Sequence, residues 1–172
     1  MSRELPQITL QQRQMMMTVI WLALIMGVVT FGMIVTFIGL KEEPGKGLPV
    51  ITYLGMGLAA LMLVLRMIIP NMIARNQFTQ AMQEAREEGN QDEEQMLGTF
   101  YQIFMVLMII GLALLEGAAM INLVAVMVEN QKLAFIPVAI LLLVMIASMP
   151  TKSKLDGWIR NQMENYNLEH QN

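Results

Sequence analysis

The stretch from Thr99 to Val128 constrains this chain more than any other: thirty residues whose only charged member is Glu116, near the middle. As a helix it covers about 45 Å, against a hydrocarbon core of roughly 30 Å. It can cross a bilayer with tilt or with a turn protruding, and Glu116 then lies deep in the membrane. An ionised carboxylate at that depth costs at least about 2.5–3.5 kcal/mol on insertion scales. Glu116 is therefore expected to be protonated, paired or hydrated.

Three further apolar blocks follow the same pattern: Met15–Leu40, Leu48–Ile69 and Leu133–Met149. Hydrophobic residues make up 55% of the chain and charged ones 15%, with a mean hydropathy of +0.50. Soluble domains carry about a quarter charged residues, in short periodic alternation with apolar ones. The expectation is an all-α integral membrane protein, one membrane domain over residues 1–172, with four transmembrane helices. The fourth block, at seventeen residues, stands at the lower limit of a span.

Composition also narrows the chemistry. Without cysteine there is no disulfide, no thiolate metal site and no cysteine nucleophile. The single histidine, His170, lies in a polar tail. Nineteen methionines suggest copper, but fourteen of them lie within the apolar blocks, mixed with Leu and Ile as ordinary filler. There is no phosphate-binding glycine loop, no Ser/His/Asp grouping and no basic aromatic patch. A non-enzymatic protein is expected, with no catalytic residues, metal, cofactor or nucleic-acid partner.

The polar segments organise the rest. Fourteen mostly polar residues precede a first block too long for a cleavable signal, so that block reads as a signal anchor. Lys41–Gly47 is a turn rich in breakers, and Pro49 sits where a helix tolerates proline. Gly55, Gly57, Ala59 and Ala60 let another helix come close to the second span. Arg66, one turn before Pro70, is placed to snorkel towards headgroups. Ala74, Phe78, Ala81, Met82 and Ala85 mark an amphipathic extension, ended by Gly89-Asn90, with Asn90 and Glu93 as a capping pair. The acidic residues between Glu84 and Glu94 read as a solvated face. Glu129–Lys132 is a tight turn. Leu155, Trp158, Ile159, Met163 and Tyr166 suggest an amphipathic helix lying on the membrane surface.

Basic residues set the expected orientation. Eight of the eleven lie in the N-terminal segment, the 66–98 region and the tail, and three in the other two loops. Both termini are thus expected to be cytoplasmic, with amphipathic cytoplasmic segments. The small, simple chain suggests a bacterial inner membrane. Gln14–Gly27 aligns with Gln95–Met108 at an offset of 81, and Pro70 and Pro150 end the second member of each half. Arg-Asn-Gln recurs at 75–77 and 160–162. Two parallel-repeat hairpins follow, over about 14–77 and 95–162. Glu116 then falls opposite Val35, so only the second half carries the carboxylate.

Around Glu116, Ala113 and Gly117 form a small-xxx-small pair, and Gly111 and Ala118 add to a surface that a second helix can approach. Such a surface excludes bulk water while leaving room for a proton or a desolvated cation. Asn122 is a candidate second ligand, or interhelical glue. Gly111, Ala113, Leu114 and Glu116, followed by small residues and then Ile121, Leu123 and Val124, resemble the carboxylate helix of the proteolipid (c) subunit of rotary ATP synthases. The resemblance covers about twenty residues. It implies proton or sodium binding at Glu116 and assembly of many copies. The competing expectation is a scaffold or accessory subunit of a larger complex, in which Glu116 locks helices together through Asn122, a threonine or Tyr53. Besides the lipid bilayer, the expected partner is a second copy of the chain or a membrane complex. An antiporter would place aromatic residues at mid-depth, but Phe100, Tyr101 and Phe104 all lie at one end of the third span.

Overall fold

A computed structural model of the chain describes residues 10–39, 48–87 and 93–170. Among them every regular element is helical. Helix α1 (Leu10–Ile34) widens into a π-helical turn over Val35–Gly39 and is followed by α2 (Val50–Glu87) and α3 (Glu93–Glu129). A 3-10 turn (Lys132–Ala134) then leads into α4 (Phe135–Ala147), and α5 (Lys152–His170) ends the fold. Three stretches, Gln14–Ile38, Val50–Gln80 and Gly98–Glu129, are long and apolar enough to cross a membrane, which is compatible with an integral membrane protein. The turn at 41–47 and Asn90 of the expected capping pair lie outside the described residues.

The bundle is apolar on its outside. Phe37, Ile38, Leu54, Met67 and Leu143 are large and exposed, whereas Thr52 and Asn122 are buried. Water would not tolerate so continuous an apolar surface; lipid does. Helix α3 is the axis of the fold, with 39% of its most apolar window buried against 17% for α1 and for α2. It packs against all four other helices.

Helix α2 runs antiparallel to α3 along its whole length. Glu129 meets Ile51 and Thr52, Asn122 meets Gly55, Gly111 meets Arg66, and Phe100 stacks on Phe78. Helix α1 runs parallel to α3, with Gly27 against Glu116 and Gly32 against Leu123. Although consecutive, α1 and α2 make little contact among the described residues; both lean on α3. The second expected hairpin is thus a packed pair, α3 with α4, while the first is not.

Helix α4 also departs from expectation. A span over 133–149 was the reading of its hydropathy; the α-helix has 13 residues, Phe135–Ala147, about 20 Å long. The run Lys132–Ala147 then bends by 82° into α5, so the two together count as at most one broken span. The cause is local. The Ser148 hydroxyl donates back to the Val144 carbonyl while its backbone leaves the helical region, at φ −87° and ψ 10°. Pro150 has no N–H with which to continue the helix, and Thr151 Oγ1 accepts from the Lys154 N–H at 3.4 Å, starting α5.

The apolar stripe of α5 packs on protein. Leu155 is buried with Met17 and Tyr101. Trp158 meets Phe78 edge-on at 6.3 Å and Phe104 at 5.7 Å, and Phe78 stacks on Phe100 at 4.6 Å. This aromatic cluster ties the extension of α2 to α3 and α5. Such pairs contribute about 0.5–1.5 kcal/mol each beyond their burial.

At the other end, Asn130 ends α3 in the left-handed region at φ 52°, which an asparagine tolerates better than most residues. The turn places the Glu129 carboxylate on the first turn of α2. Its Oε1 accepts from the Ile51 N–H at 2.7 Å, and its Oε2 from the Thr52 N–H at 2.8 Å. Two donors that the helix start leaves free are satisfied by a group of the charge its dipole favours. Glu129→Ala is expected to lower the unfolding free energy in detergent by about 0.5–2 kcal/mol, as other cap removals do. Lys132→Ala, at an exposed neighbour, should leave it unchanged. Equal behaviour of the two variants would refute the capping role.

Candidate functional site

Glu116 lies midway along α3 on the side that meets α1. A methyl group at Gly27 would stand 3.1 Å from Glu116 Oε1, so the bare α-carbon of Gly27 is what leaves room for the carboxyl. The side chain is half-buried, and among the described residues its oxygens have no hydrogen-bond partner. Met120 closes one side, its methyl 3.9 Å from the same position on Gly27. The carboxyl therefore sits in a shallow apolar notch between α1 and α3.

Asn122 faces another helix. It is fully buried, and its Nδ2 donates to the Gly55 carbonyl of α2 at 2.9 Å and to the Ala118 carbonyl of its own helix at 2.8 Å. A Cβ at Gly55 would lie 2.8 Å from Asn122 Oδ1, closer than such contacts allow. The bond thus exists because Gly55 has no side chain. Glu116 and Asn122 are not brought together, since one meets α1 and the other α2. Tyr53, considered as a partner for Glu116, is 62% exposed at the far end of α2.

The four candidate packing residues divide in two. Ala118 is buried, and Gly111 is buried against the Arg66 stem, with Arg66 Cγ 3.7 Å from where its Cβ would be. Ala113 and Gly117 are exposed, and nothing lies within 4 Å of a Cβ at Gly117. Among the described residues, nothing covers that pair. Small-residue spacing identifies a helix face without telling which neighbour, if any, occupies it.

Sequence reasoning missed the end of α4. Arg66 turns towards the end of α4, where its Nη2 donates to the Ser148 hydroxyl. Lys154 Nζ donates to the carbonyls of Ala147 at 2.6 Å and Met149 at 3.2 Å, and Trp21 Nε1 to that of Met145 at 2.8 Å. The signal available was the short, uncharged fourth block, whose end had to be satisfied by something. Among the described residues, no three metal-ligating side chains come together.

Compared with protein-family models, characterised proteins and solved structures, the chain shows no match in any of the three. What stands is the class that the fold defines: a helical protein with three helices long and apolar enough to cross a membrane, or four if α4 and α5 form one broken span.

The two glycines of α2 give a direct test of the Asn122 contact. Gly55→Ala should cost about 1–3 kcal/mol, because the buried, bonded amide must move. Gly57→Ala meets open space and should be neutral or stabilising by up to about 1 kcal/mol, the helix preference of Ala over Gly. Chemical unfolding in detergent distinguishes them; equal effects would refute the contact.

Proposed function

We propose that the chain is an integral membrane protein that takes up and releases a proton at Glu116, as a proteolipid-like subunit of a larger assembly. In this reading α1, α2 and α3 cross the bilayer, α4 with α5 completes a broken fourth span, and both termini face the cytoplasm. Arg66, Lys152, Lys154 and Arg160 then share that side, as the bias of basic residues requires.

The observation that carries the reading is the state of Glu116. Thr18, Trp21, Thr36 and Asn122 each donate to a helix carbonyl, whereas this carboxyl is half-exposed in an apolar notch without a partner. An intramembrane acid that fixes no neighbour is a functional candidate by default. A proton suits it better than a metal cation, because hard cations take several oxygen ligands and Asn122 faces α2, on another side of α3 from Glu116. The notch supports exchange, since the carboxyl can shift past the bare α-carbon of Gly27.

A second reading rests on the exposed pair Ala113 and Gly117 beside the carboxyl. A helix of another chain could approach there, and Glu116 would bond across the interface as a lock in a non-catalytic scaffold.

Labelling with a hydrophobic carbodiimide in native membranes separates the two, because the reagent attacks a protonated carboxyl reached through lipid. Exchange predicts modification at Glu116 that fades as pH rises, absent in Glu116→Gln, with mass spectrometry as the readout. A carboxyl that stays unlabelled at every pH would sink the exchange reading and leave the lock.

A further inference from the structure

The end of α4 forms one wall of a cavity of about 320 Å³ between α2, α3, α4 and α5. Among the described residues two cations line it, Arg66 and Lys154, and no acidic residue does. Apart from Ser148, its other described walls are apolar or aromatic, including Pro70, Leu107, Phe104 and Trp158. Each feature has a local origin. The Arg66 stem passes over Gly111, and Pro70 cannot donate to the Arg66 carbonyl, so the α2 backbone is open here. The 82° bend between α4 and α5 brings Lys154 and Trp158 beneath them.

The charges in this cavity are not balanced. Arg66 Nη2 is bonded to a neutral hydroxyl, and Arg66 Nη1 is buried without any partner. Lys154 is bonded only to neutral carbonyls. The C-terminus of α4 offers a partial negative charge of roughly half a unit, against two full positive ones. A buried guanidinium donor without an acceptor is costly, and an anion is the missing group. The volume suits a headgroup and not a whole lipid, since drug-sized sites start at about 300 Å³. The aromatic walls and the neighbouring exposed face of α2, with Met67 and Ile68, suit an acyl chain that leaves the cavity.

We propose that this cavity is a binding site for the phosphate of an anionic phospholipid, held by Arg66 and Lys154, with its acyl chains lying along the outside of α2. Basic pockets between spanning helices at the cytoplasmic level are suited to such headgroups. The proposal rests on the membrane placement given above but not on any role of Glu116.

The test uses the purified full-length chain in a neutral detergent, titrated with short-chain phosphatidylglycerol, short-chain phosphatidylcholine and inorganic phosphate. Trp158 fluorescence is the readout, with Trp158→Phe identifying its share of the signal. Phosphatidylglycerol should give a saturable change, at least fivefold tighter than phosphatidylcholine, while inorganic phosphate gives none at equal concentration. Arg66→Gln should weaken it at least tenfold. Lys154→Gln, at an exposed side chain, should weaken it several-fold and keeps the test informative if the Arg66 variant does not fold. Glu116→Gln should bind as the parent does, so failure of the proton reading leaves this result intact. The same change with inorganic phosphate, equal response to both lipids, or indifference to Lys154→Gln would each overturn the assignment.

Discussion

A helix that ends packed among other helices must find donors for its last carbonyls, and the structure of this chain depends on meeting that constraint at α4. Four side chains from four parts of the sequence converge there. Trp21 comes from α1, Arg66 from α2, Ser148 from the helix's own end and Lys154 from α5. At the opposite end Glu129 does the same for the first donors of α2. These contacts join elements that hydrophobic packing alone would hold weakly, because lipid competes for apolar surface as well as a neighbouring helix does.

Seen this way, the few polar residues of the spans are mostly backbone ligands. Asn122 belongs with them, spending its amide donors on Gly55 and Ala118. Thr18 and Thr36 bond back to carbonyls of α1. Glu116 differs from these: its carboxyl lies half-buried in an apolar notch between α1 and α3, without a hydrogen-bond partner among the described residues.

The three long spans were legible in the sequence because hydropathy and length report directly on what a bilayer accepts. The amphipathic stripe through Phe78 and the one through Leu155 were legible for a similar reason, since their spacing marks a buried face. What those stripes bury was not, because periodicity does not name a partner: Trp158 meets Phe78 and Phe104, 80 and 54 residues away in sequence. Glu129 read as a turn residue because its acceptors' donors lie across the chain in Ile51 and Thr52. The early end of α4 was hidden by the apolar run through Met149, and Ser148 with Pro150 were the residues that decided it. The two glycines that matter most, Gly27 and Gly55, look like any other small residue in their spans; only the side chain opposite each distinguishes them.

The brevity of α4 has a consequence for the surrounding lipid. With the 3-10 turn its helical run is about 26 Å long, shorter than the roughly 30 Å core beside the much longer α3. In the proposed placement with α4 crossing the bilayer, lipids along that flank must thin locally or tilt, while those along α1 and α3 need not. The molecule thus presents a lopsided edge to the bilayer, and the elastic cost of that deformation falls when it sits in a thinner membrane or places its short flank against another protein.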